Sequence, residues 1–218
     1  GDAVFALTAT ASSGLPVSYA SSNTAVATVS GGIVTIVGTG SSIITASQTG
    51  NGSFNAAPDV QQTLTVNKAN QSITFGALSA KTFGDPNFSF GATASSALGV
   101  SYASSNPAVA TVSGNTVTIV GAGSTIITAS QAGNTNYNAA ANVQQTLTVN
   151  KANQIISFSA LAAKTFGDAN FSPGATASSA LGVSYASSNP AVASVSGNTV
   201  TIVGAGSTII TASQAGNT

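Results

Sequence analysis

Apolar and polar residues alternate in short runs along the whole chain. In residues 143–149, Val143, Gln145, Leu147 and Val149 fall on one face, and Gln144, Thr146 and Thr148 on the other. A period of two places successive side chains on opposite faces and predicts a strand. The same alternation sets Ile73 with Phe75, Phe88 with Phe90, Ala92 and Ala94 in the next strand, and Val100 with Tyr102 in a third. It continues through Ala110 and Val112, through Val117 and Ile119 with Thr116 and Thr118 outward, and through Ile127 and Ala129. No window shows the three-to-four spacing of an amphipathic helix. Turn signals separate the runs. Pro107 fixes its own φ and pushes Asn106 out of the helical region, and Gly114 suits a tight hairpin. Gly121-Ala122-Gly123 marks a further turn. About seven short strands between such turns predict an antiparallel β-sandwich of immunoglobulin-like type.

The pattern recurs. Residues 100–131 return as residues 183–214 with one change, Thr111 to Ser194, and more loosely as residues 17–48. The period is 83 residues, so the chain is a tandem array. Residues 68–150 make one complete copy. Residues 1–67 lack the part matching residues 68–83, and residues 151–218 lack the part matching residues 136–150. The expectation is three sandwich domains cut from a longer array, with the first and last strands of the outer copies supplied from elsewhere. The join Asn150-Lys151-Ala152-Asn153 is short, which predicts domains set in line as a rod.

Composition narrows the function. The 218 residues hold only Lys68, Lys81, Lys151 and Lys164 against Asp2, Asp59, Asp85 and Asp168, with net charge zero and no Cys or His. A nucleic-acid binder needs a basic footprint to release counterions, and polybasic membrane attachment needs the same. Neither is available, and no apolar run reaches the length of a membrane span. General acid–base catalysis calls for a His or a tuned carboxylate, so catalytic residues and cofactors are expected to be none. The turn aspartates Asp2, Asp85 and Asp168 stand singly, as local hydrogen bonders rather than calcium ligands, so the expected metal set is also none.

Lys81 with Asp85, and Lys164 with Asp168, have the ingredients of a Lys–Asn cross-link beside an acid, but the expectation is a solvated Lys near a turn Asp. The Asn-X-Ser sequons at Asn51, Asn70, Asn87 and Asn170 follow from a chain rich in both residues. Thr116 and Thr118 are ordinary solvent-face strand residues. The ring at Tyr137, kept as Phe54 in the first copy, reads as a packing anchor rather than a hydrogen-bonding corner.

Several motifs carry a resemblance. They are Lys68-Ala69-Asn70-Gln71, Lys81-Thr82-Phe83-Gly84-Asp85, Val100-Ser101-Tyr102, Ser105-Asn106-Pro107-Ala108-Val109-Ala110, Gly121-Ala122-Gly123 and Ala129-Ser130-Gln131-Ala132-Gly133-Asn134. Together the copies resemble the bacterial immunoglobulin-like repeats, of the group 2 and "mostly bacterial" types, found in large surface proteins. The resemblance implies an extracellular or cell-surface stalk or adhesin spacer without catalytic residues. Its partners would be neighbouring repeats, with no nucleic acid and no membrane insertion in this segment. The alternative is a self-assembling extracellular filament or matrix. Sparse charge offers little repulsion, and uncharged β-prone segments such as residues 115–120 invite strand exchange between near-identical neighbours.

The in-line arrangement has a direct measure. A compact globule of this length has a radius of gyration of about 17 Å, whereas three domains in a row give about 30–35 Å. Small-angle scattering from a monomer is expected in the upper range; a value near the lower one would refute the rod.

Overall fold

The computed structural model describes residues 2–217, which contain strands and turns and no helix. The first copy carries β1 (Phe5–Ala6), β2 (Ser18–Ser21), β3 (Ala27–Ser30), β4 (Ile33–Ile36), β5 (Gly40–Gln48) and β6 (Ala57–Val66). The middle copy carries β7 (Ile73–Phe75), β8 (Lys81–Thr82), β9 (Phe88–Ser89), β10 (Ala92–Ala94), β11 (Ser101–Ser104), β12 (Ala110–Ser113), β13 (Thr116–Ile119), β14 (Gly123–Ser130) and β15 (Val143–Asn150). The third has β16 (Ile156–Ser157), β17 (Thr176–Ala177), β18 (Ser184–Ser187), β19 (Ala193–Ser196), β20 (Thr199–Ile202) and β21 (Ile210–Ser213). The fold is an all-β sandwich architecture. Two compact units result: one holds the residues up to Lys81 together with Asp85–Val149, the other Thr82–Gly84 and the residues from Asn150 onward.

The middle copy shows the full arrangement. One layer has the order β11-β14-β15-β8, and the other is built from β12-β13-β9 and β10-β7. Residues 88–94, expected as one strand, are broken. The first half, β9, pairs with β13, and the second half, β10, pairs with β7. Gly91 lies at the break and has no side chain to pack on a pleated surface, which weakens a strand interior. The alternation nevertheless holds across it: Phe88, Phe90 and Ala92 are half-buried and Ala94 is buried.

Between the layers lie Ile73, Phe75, Val109, Ala110, Val117, Ile127, Ala129, Leu147 and Val149. The inward residues read from the alternation of β7, β14 and β15 are therefore the core. Ile119 sits on the expected face but is half-buried, and so are Ile36 and Ile202; the deepest residue of β13 is Val117. Ile119 pairs with Ala110 near the end of the β12–β13 hairpin, where the layers cover it less fully. Phe75, Phe90 and Tyr102 form an aromatic triad, with ring centres 4.7–5.8 Å apart. The Tyr102 hydroxyl accepts the Ala92 N–H at 2.7 Å, so its polar end is satisfied inside the sandwich. In the third copy Pro173 stands where Phe90 does, and Phe158 with Tyr185 is the corresponding ring pair there.

Two turns explain their glycines. Gly114 opens the β12–β13 hairpin at φ 57°, and in the first copy both Gly31 and Gly32 have positive φ. Left-handed φ at these places is what a two-residue hairpin needs. A Cβ on Gly121 would lie 2.7 Å from the Ala108 carbonyl oxygen, and Gly123 has φ 139°. The Gly-X-Gly motif is thus set by backbone approach at one end and by φ at the other. Ala97 and Ala180 accept the left-handed region without being glycine, at φ 60° and 58°, where the first copy has Gly14.

A polar node lies within the core. Thr125, buried between the layers, accepts the Asn106 N–H at 3.0 Å and shares a hydrogen bond of 2.8 Å with the Ser104 hydroxyl. Ser105 Oγ accepts the Ile126 N–H at 2.9 Å. Ser42 and Thr208 repeat the arrangement in the other copies. The node ties the turn at Asn106-Pro107 to the central strand.

Substitution on β13 separates its two faces. Val117→Ala is expected to cost about 2–3 kcal/mol through lost burial and a cavity. Ile119→Ala should cost less than Val117→Ala, and Thr118→Ala should stay within about 0.5 kcal/mol. Denaturant melts will order the three; equal costs for Val117 and Thr118 would mean the strand's faces are exchanged.

Candidate functional site

The most structured feature outside the core is the lead-in to each copy. In the middle copy, residues 68–71 lie along the loop of residues 131–138. The Ala69 N–H donates to the Asn136 carbonyl and the Asn138 N–H to the Ala69 carbonyl, both at 2.9 Å. Lys68 Nζ donates to the Asn134 carbonyl at 2.8 Å. Gln71 Nε2 donates to Gln131 Oε1 at 2.5 Å and to the Asn138 carbonyl at 2.7 Å, and the Ser96 hydroxyl donates to Gln71 Oε1. Asn134 shapes the loop itself, its Oδ1 accepting the N–H groups of Asn136 and Tyr137 at 2.8 and 2.9 Å. Two motifs some sixty residues apart in sequence form one clasp. Each half was visible in the sequence, but nothing in the alternation indicated that they meet.

The clasp recurs in the third copy, where Lys151 Nζ donates to the Asn217 carbonyl and Gln154 Nε2 to Gln214 Oε1, each at 2.5 Å. In the first copy Gln48 accepts the Gly50 N–H at 2.9 Å. The first copy also touches the middle one directly. Thr39 Oγ1 donates to the Thr135 carbonyl at 2.6 Å, and the Thr39 N–H to Asn136 Oδ1 at 3.2 Å. Ala122 and Ala205 occupy the equivalent positions and have no hydroxyl to offer. Next to this contact runs a groove of about 610 Å³, lined by Asp2, Phe5, Ile36, Leu64, Val66 and Lys68 among others.

The residues singled out from sequence are dispersed. Lys81 Nζ lies 4.7 Å from the Phe88 ring centre, and Lys164 5.0 Å from that of Phe171, a cation–π arrangement in place of the free lysine expected. Asp168 Oδ2 accepts the Thr165 N–H at 2.9 Å, the local role anticipated for a turn aspartate. No three acidic, His or Cys side chains gather among the described residues. Asn51, Asn70, Asn87 and Asn170 are exposed, but Asn51 and Asn70 already accept hydrogen bonds through Oδ1. Thr118 faces solvent, whereas Thr116 is half-buried. Phe54 is 50% exposed, whereas Tyr137 at the same position of the middle copy is half-buried. The backbone there is what matters: the Asn134 N–H donates to the Tyr137 carbonyl at 3.0 Å, closing the loop of the clasp.

No family model matches the sequence, and no curated protein matches it. Among solved structures, the chain is similar to domains 1–6 of the surface layer protein SbsC, with 17% identity and a TM-score of 0.32 over 89% of this chain. It spans 28% of that structure's length. SbsC domains 4 and 5 align at 20% identity over 66% of this chain and 82% of that one, with a TM-score of 0.30. Drosophila N-cadherin EC1-4 aligns at 12% identity over 85% of this chain and 57% of that one, also with a TM-score of 0.30. Likeness at this level carries no argument about a shared site or activity.

Truncating the clasp tests its weight. Gln131→Ala removes the acceptor of both the Gln71 amide and the Gly133 N–H. Leaving such groups without partners costs about 1–3 kcal/mol. Hydrogen exchange at Ala69 and Asn138 is expected to speed up, while that of β13 stays the same; unchanged exchange at the lead-in would show that the clasp holds nothing.

Proposed function

We propose that the chain is a non-catalytic structural segment, a spacer in an extracellular or cell-surface protein. The observation that carries this reading is the clasp. It makes the lead-in to a copy part of that copy's own body, so successive copies are joined without a slack tether. The hydroxyl of Thr39 reinforces this by holding the first copy to the middle one. The side chains of the chain serve hydrogen bonds and packing that repeat from copy to copy, as expected where each unit's role is to fold and to hold its neighbour. Chemistry needing a tuned acid, base or nucleophile has no residue set to draw on, and the sparse charge suits neither nucleic acid nor an anionic membrane. The bacterial immunoglobulin-like resemblance fits a stalk of this kind.

A spacer must lengthen in fixed steps. Spin or fluorescent labels near the two ends, measured with none, one or two extra 83-residue units inserted between them, give the step. Each unit is expected to add about 35–40 Å, the length of one sandwich domain. A distance that grows only as the square root of the number of units would describe a flexible coil and sink the spacer reading.

A further inference from the structure

The loop joining β5 to β6 in the first copy folds like the loop joining β14 to β15 in the middle one. In the middle copy Asn134 Oδ1 accepts the N–H groups of Asn136 and Tyr137 at 2.8 and 2.9 Å, and the Asn134 N–H donates to the Tyr137 carbonyl at 3.0 Å. In the first copy Asn51 Oδ1 accepts the N–H groups of Ser53 and Phe54 at 2.9 and 3.0 Å, and the Asn51 N–H donates to the Phe54 carbonyl at 2.9 Å. Gly50 and Gly133 enter the two loops at φ 75° and 76°. The residue after the asparagine is Thr135 in one loop and Gly52 in the other. Asn51-Gly52 is the only Asn-Gly pair in the sequence.

That pair has a chemistry of its own. The backbone nitrogen after an asparagine can attack the side-chain Cγ and close a cyclic imide. A β-branched side chain on the attacking residue crowds this approach, and glycine has no Cβ to do so. A Cβ placed on Gly52 would meet nothing within 4 Å, so the loop tip is open there. Asn51, Gly52 and Ser53 are exposed, which gives water access. Asn134 and Thr135 are exposed too, with Lys68 of the lead-in bonded to the Asn134 carbonyl, so an open tip belongs to the loop itself. The two N–H groups on Asn51 Oδ1 lie where negative charge gathers when Cγ is attacked, and donors at such distances stabilise it.

We propose that Asn51-Gly52 is a site of spontaneous modification, where the Asn51 amide is lost through a cyclic imide that water reopens. The Gly52 nitrogen bonds to Asn51 Cγ, the bond from Cγ to Nδ2 breaks, and Nδ2 leaves as ammonia with the proton that Gly52 gives up. Water then adds to one of the two ring carbonyls. Opening at Cγ yields an aspartyl residue. Opening at the former backbone carbonyl routes the main chain through Cβ and Cγ as an isoaspartyl residue. One water is consumed and one ammonia released, with no change of oxidation state. Each event turns a neutral amide into a carboxylate, so four acids become five against four lysines and the formal net charge falls from zero by one. The isoaspartyl form also lengthens the backbone of the connection between β5 and β6. The proposal stands apart from the spacer reading, since it concerns the chemistry of one loop and not the joins between copies.

Incubating the 218-residue chain at neutral pH and mapping its peptides by mass spectrometry is the test. Asn51 is expected to exchange its amide for a carboxyl with time, read as a mass gain at that residue and a more acidic species on anion exchange. Asn134 should stay intact over the same interval. Gly52→Thr gives the loop the residue that the middle copy already carries there, and should stop the conversion. A native chain whose Asn51 stays intact over the time in which a free peptide of residues 49–55 converts overturns the proposal, because the folded loop then blocks the attack. So does conversion at Asn134 as fast as at Asn51, or conversion in the Gly52→Thr chain as fast as in the parent. None of these outcomes alters the step length per inserted unit, so the two readings fail separately.

Discussion

The pairing of β14 with β15 is the interaction on which the sandwich depends. β14 is the central strand of its layer, with Ile127 and Ala129 fully buried and the polar node at Thr125 on the same face. Its ladder with β15 runs from Gly123 opposite Val149 to Ala129 opposite Val143, so Leu147 and Val149 are carried in by register. Among the described residues of the third copy, the equivalent strand, β21, pairs with β18. It has four residues instead of eight, and Ile210 and Ala212 are half-buried. Ile209 is 70% exposed. The side chains are the same in both copies, so how deep they lie is set by what is beside the strand and not by the strand itself. A small domain without disulfides has few other means of covering a strand.

That dependence explains why polar groups are treated so carefully. Sparse charge leaves hydrogen bonds as the directional component of the fold, and the recurrent hydroxyls and amides of two nodes have defined partners. Thr125, Ser104, Ser105 and Asn106 satisfy one another where a turn meets the central strand. Gln71, Gln131 and Ser96 do the same where the lead-in meets the loop. No buried side-chain nitrogen or oxygen is left without a partner among the described residues. Groups of this kind specify one arrangement more sharply than apolar packing can, since a slipped register would strand them in the interior at real cost.

The copies also tolerate change in a way that separates role from identity. Ser42 takes the place of Thr125 and keeps its hydrogen bonds, because the hydroxyl is what the site uses. Gly31-Gly32 replaces Gly114-Asn115 and retains a positive φ at the first position. Pro173 replaces Phe90, and the aromatic triad shrinks to the pair of Phe158 and Tyr185. Thr39 is replaced by Ala122, which removes a hydroxyl at the position that bonds the next copy. Where a hydroxyl or a positive φ is what a copy's own fold uses, that feature is kept, whereas the Phe90 ring and the Thr39 hydroxyl are each lost in another copy.

Much of the architecture was legible from residue order alone. The repeat period is read from recurrence, and the strand faces of β7, β14 and β15, the turn at Asn106-Pro107 and the hairpin at Gly114 follow from local rules: alternation, proline φ and glycine freedom. Those rules act over a few residues, so one sequence suffices to read them. The tertiary structure decided what depends on segments far apart. It broke the strand at Gly91 by giving its halves different partners, and it made Val117 rather than Ile119 the deepest residue of β13. It exposed Phe54, stacked Lys81 on Phe88, and closed Gln71 onto Gln131. Each is a contact between segments that sequence distance does not order. Alternation shows which face turns inward; only the opposing layer determines how deep a given side chain lies and which distant group meets it.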